Sequence, residues 1–254
     1  MDGSLEERAG RLREAFGLTP TAQLLAPDAA EPELSSPLME QLARFNIEWH
    51  IIPSADAVPM DEAYMQRFYG MSPRGFKQPR EHQPSYHDVL VNGHSKHQGQ
   101  VIGVETTQKP RYLPGNRQFY GTFYGFDASV DPFTFYIGRS GMTNATRYNH
   151  NYLSLREFIR VVTEDWRARK LLPQGYRLTI CPPAVFNFVG SLFHNEWSET
   201  ETLELGFYRD AAGNATCYAV GSNAPGDFSY INEVELDTDW TLAGFRIALV
   251  PENL

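Results

Sequence analysis

Four of the chain's seven histidines lie in the segment 82–97, where imidazole and carboxylate groups could bind a metal or move a proton. These groups are the usual ligands of zinc and iron in proteins. If residues 94–97 form one helical turn, His94 and His97 lie on the same face, three residues apart. His94 and His97 are therefore the candidate ligands, and a divalent metal is a candidate cofactor.

The dipeptide Asn92–Gly93 predicts a different arrangement, a β-hairpin with a two-residue turn. Counting outward from that turn pairs Asp88 with His97. It also leaves His87 roughly 13 Å from His94 along the opposite face, too far for one metal. A carboxylate beside an imidazole fixes its tautomer and raises its basicity. We therefore predict that His97 is a general acid or base oriented by Asp88, with a solvated polar hairpin as the alternative.

A second group of side chains could bind a small molecule near the ends of two predicted strands. Tyrosine hydroxyls and arginine guanidinium groups together recognise anionic or aromatic ligands. The candidates for this role are Tyr120, Tyr124, Tyr136, Arg139, Arg147 and His150. The alternative is that the tyrosines fill the half-buried face of a sheet.

The elements that would position these tyrosines are two strands. Residues 119–126 alternate with period two, which predicts a strand with tyrosines on one face. The segment Phe133–Gly138 alternates in the same way and predicts an antiparallel partner. Tyrosines from both strands would then share one face of the sheet.

The helices are predicted from capping signals and helical spacing. Ser4 and Glu7 form a capping box before a helix over residues 5–16, and Gly17 can end that helix. The same serine–glutamate pattern precedes a second helix over residues 155–170. Shorter helices are predicted over residues 60–69 and 184–193.

The remaining strands are predicted from alternating apolar residues. They cover residues 47–51, 177–180, 203–209, 216–220 and 245–249. The order of elements predicts the α+β class, as a mixed, largely antiparallel sheet with several packed helices in a single compact domain. The N-terminal helix and a Pro/Ala-rich connector occupy residues 1–35, and the compact domain covers residues 36–254.

The composition of the chain and the absence of common motifs limit which partners and cofactors we expect. The chain has 31 acidic and 22 basic residues and a formal charge of −9, so we expect no nucleic acid and no membrane as partner. Its N-terminus is charged and lacks the apolar core of a secretory signal, which predicts a cytoplasmic protein. The sequence contains no phosphate-binding loop and no dinucleotide fingerprint, so no nucleotide cofactor is indicated.

These features support three functional hypotheses, and whether the chain is an enzyme stays open. The first is a small-molecule enzyme of lyase, isomerase, cyclase or hydrolase type that uses side-chain acid–base chemistry. The second is a non-catalytic domain that binds a ligand or a protein through its aromatic face. The third is a mononuclear metal-dependent enzyme with ligands from the segment His82–His97.

Overall fold

The strands of the protein form two four-stranded sheets and one two-stranded sheet in the part of the chain that the structure describes. This computed structural model describes residues 5–29, 32, 34–59, 96–107, 111–113, 117–119, 131–142, 147–194, 196–197, 203–209, 215–221, 230–240 and 243–252. The helices are α1 (Leu5–Phe16), α2 (Ser36–Ala43), α3 (Thr134–Arg139), α4 (Tyr152–Ala168) and α5 (Pro183–Phe193). The strands are β1 (Ile47–Ile52), β2 (Gln100–Glu105), β3 (Arg111–Leu113), β4 (Arg117–Phe119), β5 (Tyr176–Ile180), β6 (Leu203–Arg209), β7 (Ala215–Gly221), β8 (Tyr230–Val234), β9 (Ala243–Phe245) and β10 (Ile247–Pro251).

The first sheet has the order β1-β2-β10-β5, and each neighbouring pair is antiparallel. β1 pairs with β2 along its whole length, with Trp49 opposite Gly103. Successive side chains of a strand point to opposite faces of a sheet. Glu48 and His50 therefore share one face of β1, and Trp49 lies on the other.

The second sheet has the order β8-β7-β6-β9, in which β9 runs parallel to β6 and the other pairs are antiparallel. The single strand predicted over 245–249 is in fact two strands that belong to different sheets. Arg246 separates them, because its buried guanidinium donates hydrogen bonds to the carboxylate of Glu204 and to the main-chain oxygen of Glu105, each at 2.7 Å. The chain passes from one sheet to the other at this residue.

The predicted N-terminal helix is confirmed, because α1 spans the same residues, 5–16. Gly17 follows it with a φ of +65°, a left-handed conformation that favours glycine. Ala9 and Leu12 are buried, and the helix packs against β1. The N-terminal helix is thus docked on the first sheet.

The helix predicted over 155–170 is confirmed as α4, although its cap lies earlier than predicted. The side chain of Asn151 accepts a hydrogen bond from the main-chain N–H of Ser154 at 3.0 Å, and the hydroxyl of Ser154 accepts one from the N–H of Asn151 at 3.1 Å. Ser154 is therefore the third residue of the helix and not its cap. Phe158 and Trp166 are buried on the inner face of α4.

The strand predicted over Phe133–Gly138 is wrong, because this segment forms helix α3. The side chain of Asp131 accepts a hydrogen bond from the N–H of Phe133 at 2.9 Å, and the N–H of Ile137 donates to the oxygen of Phe133 at 3.0 Å. Phe133, Tyr136 and Ile137 are the buried residues, which is helical spacing. The run of alternating aromatic residues is too short to distinguish the two-residue period of a strand from the 3.6-residue period of a helix.

The α+β class is confirmed, with sheets that are mostly antiparallel. The predicted strands over 47–51, 177–180, 203–209 and 216–220 and the helix over 184–193 are also confirmed. The predicted helix over 60–69, the Asn92–Gly93 turn and residues 120–126 of the predicted strand lie outside the described residues. Among the helices of the described ranges, none is both long enough and apolar enough to cross a membrane.

Candidate metal centre

A strand and the end of a helix bring together three potential metal ligands, Glu48, His50 and His194. Each offers one ligand atom, and the three atoms lie within 4.8 Å of one another, the one such group among the described residues. His194 directly follows α5, and its main-chain N–H donates to the oxygens of Val189 at 3.3 Å and Gly190 at 3.1 Å. The helix end therefore holds His194 beside the face of β1 that carries the other two ligands.

The distances in this cluster are close to those around a single metal ion. Oε2 of Glu48 lies 3.3 Å from Nε2 of His194 and 3.8 Å from Nε2 of His50. Ligand atoms that bind one zinc at about 2.0–2.2 Å are roughly 3.0–3.5 Å apart. The third separation, between the ligand atoms of the two histidines, is at most 4.8 Å. Two histidines and one carboxylate are the donor set of many catalytic zinc and non-haem iron sites.

His50 is the most buried residue of the cluster, and its ring nitrogens are the least well paired. Its side chain is 0% exposed, and neither ring nitrogen has a hydrogen-bond partner within the described residues. Burial, together with the positive charge of Arg8, lowers the pKa of His50 well below its usual value of 6.5. The ring is therefore neutral at physiological pH, and neutral imidazole is the form that binds metals.

His194 has the second contact that is typical of a metal-bound histidine. Its Nδ1 lies 2.8 Å from Oε1 of Glu196, and its ring stacks on Trp197 with the centroids 4.7 Å apart. A carboxylate at Nδ1 would hold the proton there when Nε2 binds a metal. Nε2 itself lies 3.3 Å from Oε2 of Glu48, so the ring of His194 lies between two carboxylates.

Glu48 is ionised and held by two donors. Its Oε1 accepts a hydrogen bond from the hydroxyl of Thr106 at 3.1 Å, and its Oε2 accepts one from Arg8 at 2.7 Å. Burial by itself raises the pKa of this carboxyl, but the contacts with His194 and Arg8 outweigh it and lower the pKa to about 2. The cluster therefore contains one fixed negative charge and two imidazoles.

The predicted catalytic residue His97 lies elsewhere, in a turn over residues 96–99 and not in a strand. Its side chain is buried, and burial, followed by the charges of Arg177 and Lys96, lowers its pKa to about 4. Asp88 and His94 lie outside the described residues, so the acid–base role of His97 with Asp88 and the metal pair His94 and His97 stay predictions.

The predicted ligand-binding residues Tyr136 and Arg139 lie on helix α3. The hydroxyl of Tyr136 donates a hydrogen bond to Asp165 at 2.6 Å, and burial with this bond raises its pKa to about 12. The guanidinium of Arg139 lies over the exposed ring of Phe135, 5.5 Å from its centroid. Tyr120 and Tyr124 lie outside the described residues, so a shared tyrosine face stays a prediction.

The other two predicted ligand-binding residues, Arg147 and His150, are buried. Both lie against the ring of Phe245, with centroid distances of 5.5 Å for the guanidinium and 5.7 Å for the imidazole. Arg147 donates hydrogen bonds to the carboxylates of Glu105 and Asp131. The structure thus brings these two together in the interior, and their ligand-binding role stays a prediction.

None of the three residues of the candidate metal centre was predicted from the sequence. Histidines are dense in 82–97, whereas His50 and His194 each stand apart in the sequence. One local signal was present, since a glutamate and a histidine two residues apart in a strand share a face. Comparison with known protein families, curated proteins and solved structures finds no match to this chain.

Proposed function

We propose that the protein is a mononuclear metal-dependent enzyme that acts on a small molecule, with Glu48, His50 and His194 as the ligands of Zn²⁺ or Fe²⁺. The observation that carries the proposal is His50, which is fully buried and has no partner for either ring nitrogen among the described residues. Buried polar groups almost always have a partner. A metal held between His50, His194 and Glu48 would supply one.

The donor set indicates the reaction class. Three protein ligands leave positions for water and substrate, and a metal in such a site lowers the pKa of its bound water to about 7. Glu196 would keep His194 in the ligating tautomer, and Thr106 would orient Glu48 through its other oxygen. This arrangement favours acid–base chemistry of hydrolase or lyase type.

Titration with Zn²⁺, and with Fe²⁺ under anaerobic conditions, tests the proposal in the full chain. We expect one equivalent to bind, and the Co²⁺ form to show the visible absorption of nitrogen and oxygen ligands. The variant His50→Leu should lose at least about 100-fold in affinity, because it removes a ligand. The matched control is His97→Leu, another buried histidine, which should bind as the wild type does. Substoichiometric metal, or full affinity in His50→Leu, would overturn the proposal.

A second candidate function is acid–base catalysis by His194 without a metal. His194 lies between the carboxylates of Glu48 and Glu196, at 3.3 Å and 2.8 Å, as a general acid or base would. The variant Glu196→Gln separates the two. A metal site predicts that it weakens Zn²⁺ binding roughly 10- to 100-fold. Metal-free catalysis predicts that hydrolysis of activated esters persists after chelator treatment and falls in the variant.

A further inference from the structure

We propose that helix α1 is a gate over the metal centre, and that metal binding and the docking of α1 oppose each other because both use Oε2 of Glu48. This inference rests on the proposed metal-dependent function and adds its regulation. It comes from the contacts of two arginines, Arg8 and Arg11, which lie three residues apart on one side of the helix.

Arg8 occupies the oxygen that faces both histidines. One of its terminal nitrogens lies 2.7 Å from Oε2 of Glu48, and the other donates to the main-chain oxygen of Trp49 at 2.9 Å. A divalent ion on the same oxygen would lie roughly 4 Å from the guanidinium, where two positive charges repel strongly in a buried setting. Arg8 therefore stabilises the metal-free cluster and weakens metal binding.

Arg11 ties the same helix to the segment that carries the third ligand. It donates to the main-chain oxygen of Leu192 at 3.0 Å, and its guanidinium lies 4.9 Å from the ring centroid of Phe193. The ring of Phe193 in turn contacts His50, with the centroids 5.0 Å apart. Helix α1 thus bridges β1 and the end of α5, the two segments that hold the ligands.

A cavity beside this bridge ends at the ring of Phe193, which contacts His50. A cavity of about 280 Å³ lies between α1 and the end of α5, lined by Arg11, Leu12, Glu14, Ala15, Leu192 and Phe193. His50 is 0% exposed, whereas the side chains of Glu48 and His194 are 20% and 14% exposed, so an ion meets these two ligands before it reaches His50. Separation of α1 from α5 would extend this cavity toward Phe193 and His50.

Helix α1 is short and has a small apolar face. It has 12 residues, of which Arg8, Ala9 and Leu12 are buried, and Leu5 and Phe16 are partly buried against the core. Isolated helices of this length are marginal in water, and elements with few buried apolar contacts open most easily. By thermodynamic linkage, if docked α1 weakens metal binding, the bound metal weakens the docking of α1 by the same factor.

The test compares Zn²⁺ affinity and amide hydrogen exchange of residues 5–16 in full-length variants. Arg8→Gln keeps a hydrogen-bond donor and removes the charge, so Zn²⁺ should bind roughly tenfold more tightly. Arg8→Lys keeps the charge and should bind as the wild type does. The matched control is Arg13→Gln on the same helix, whose contacts are with Glu6 and Ala22, away from the cluster. In the wild type, Zn²⁺ should increase exchange in residues 5–16.

The outcomes separate this inference from the proposed function. If the wild type binds no Zn²⁺, the metal site itself fails. If the wild type binds Zn²⁺ but Arg8→Gln binds equally well or more weakly, Arg8 orients the ligand and does not compete, and the gate is overturned while the site stands. Unchanged or slower exchange in α1 on adding Zn²⁺ overturns the gate in the same way, without relying on any variant.

Discussion

Two clusters of charged and polar side chains among the described residues differ in how completely their members are paired. In the first, Arg147 donates to Asp131 at 2.6 and 2.7 Å, to Glu105 at 2.7 and 2.9 Å, and to the main-chain oxygen of Phe245 at 2.9 Å. In the second, His50 and Nε2 of His194 have no hydrogen-bond partner among the described residues. The first cluster is saturated by the protein, and the second is not.

The difference supports the proposal that the Glu48–His50–His194 cluster binds a metal, whereas the Arg147 cluster stabilises the fold. The Arg147 cluster joins β2, the segment before α3 and the end of β9, so it locks together elements that are distant in sequence. The Arg246–Glu204 pair does the same where the chain changes sheets. Other buried atoms are also unpaired among the described residues, for example both side-chain atoms of Asn187, but at the Glu48–His50–His194 cluster they coincide with a group of potential metal ligands.

The largest expected effect tests the saturated cluster. Arg147→Met removes the guanidinium that pairs with two buried carboxylates and should lower the free energy of unfolding by about 5 kcal/mol. The control is Arg160→Met, which also removes an arginine paired with two carboxylates, Glu157 and Glu164, but at an exposed site that solvent screens. Urea denaturation measures both. A similar small loss in the two variants would contradict a structural role for the Arg147 cluster.

The next effect concerns pH and uses His97, a buried histidine outside both clusters. Its pKa is about 4 in the folded protein, against 6.5 for an exposed histidine, so the unfolded chain binds a proton first as the pH falls. The contribution of neutral His97 to the free energy of unfolding is therefore fully present above pH 6.5. It falls by roughly 3 kcal/mol between about pH 6.5 and 4.

The variant His97→Gln isolates this contribution, because it cannot titrate. The free energy of unfolding of the wild type should fall more steeply than that of the variant over the same pH range, by the amount given above. Urea denaturation at several pH values measures the difference. Parallel pH profiles for the two proteins would show that His97 is not buried in a neutral form.

The smallest expected change in unfolding free energy is that of His50→Leu, which contrasts with the large change expected for Arg147→Met. His50→Leu replaces a fully buried side chain whose nitrogens are unpaired among the described residues, so the metal-free protein should change in unfolding free energy by less than about 1 kcal/mol. The same variant should abolish tight Zn²⁺ binding. A loss of several kcal/mol without metal would instead mean that His50 is a paired structural residue.

Much of the local structure could be predicted from the sequence, because its signals are local. The helical spacing of 5–16 and 155–170 predicted α1 and α4, although the cap of α4 is Asn151 and not Ser154, and apolar alternation predicted β1, β5, β6 and β7. The failures came where a short segment fits two periods, as at 133–138. The prediction of one continuous strand over 245–249 failed for another reason. The break at Arg246 depends on its pairing with Glu204, which is far away in the sequence.

By itself the sequence determined the α+β class, several of the helices and four of the ten strands, and the fact that Glu48 and His50 share a strand face, since each depends on spacing over a few residues. Only the tertiary structure decided that the end of α5 lies against β1, which brings His194 to these two residues and Arg8 to the same carboxylate. Contacts of this kind depend on the packing of elements that are distant in the sequence, so local periodicity does not predict them. The densest group of histidines in the sequence therefore did not lead to this cluster.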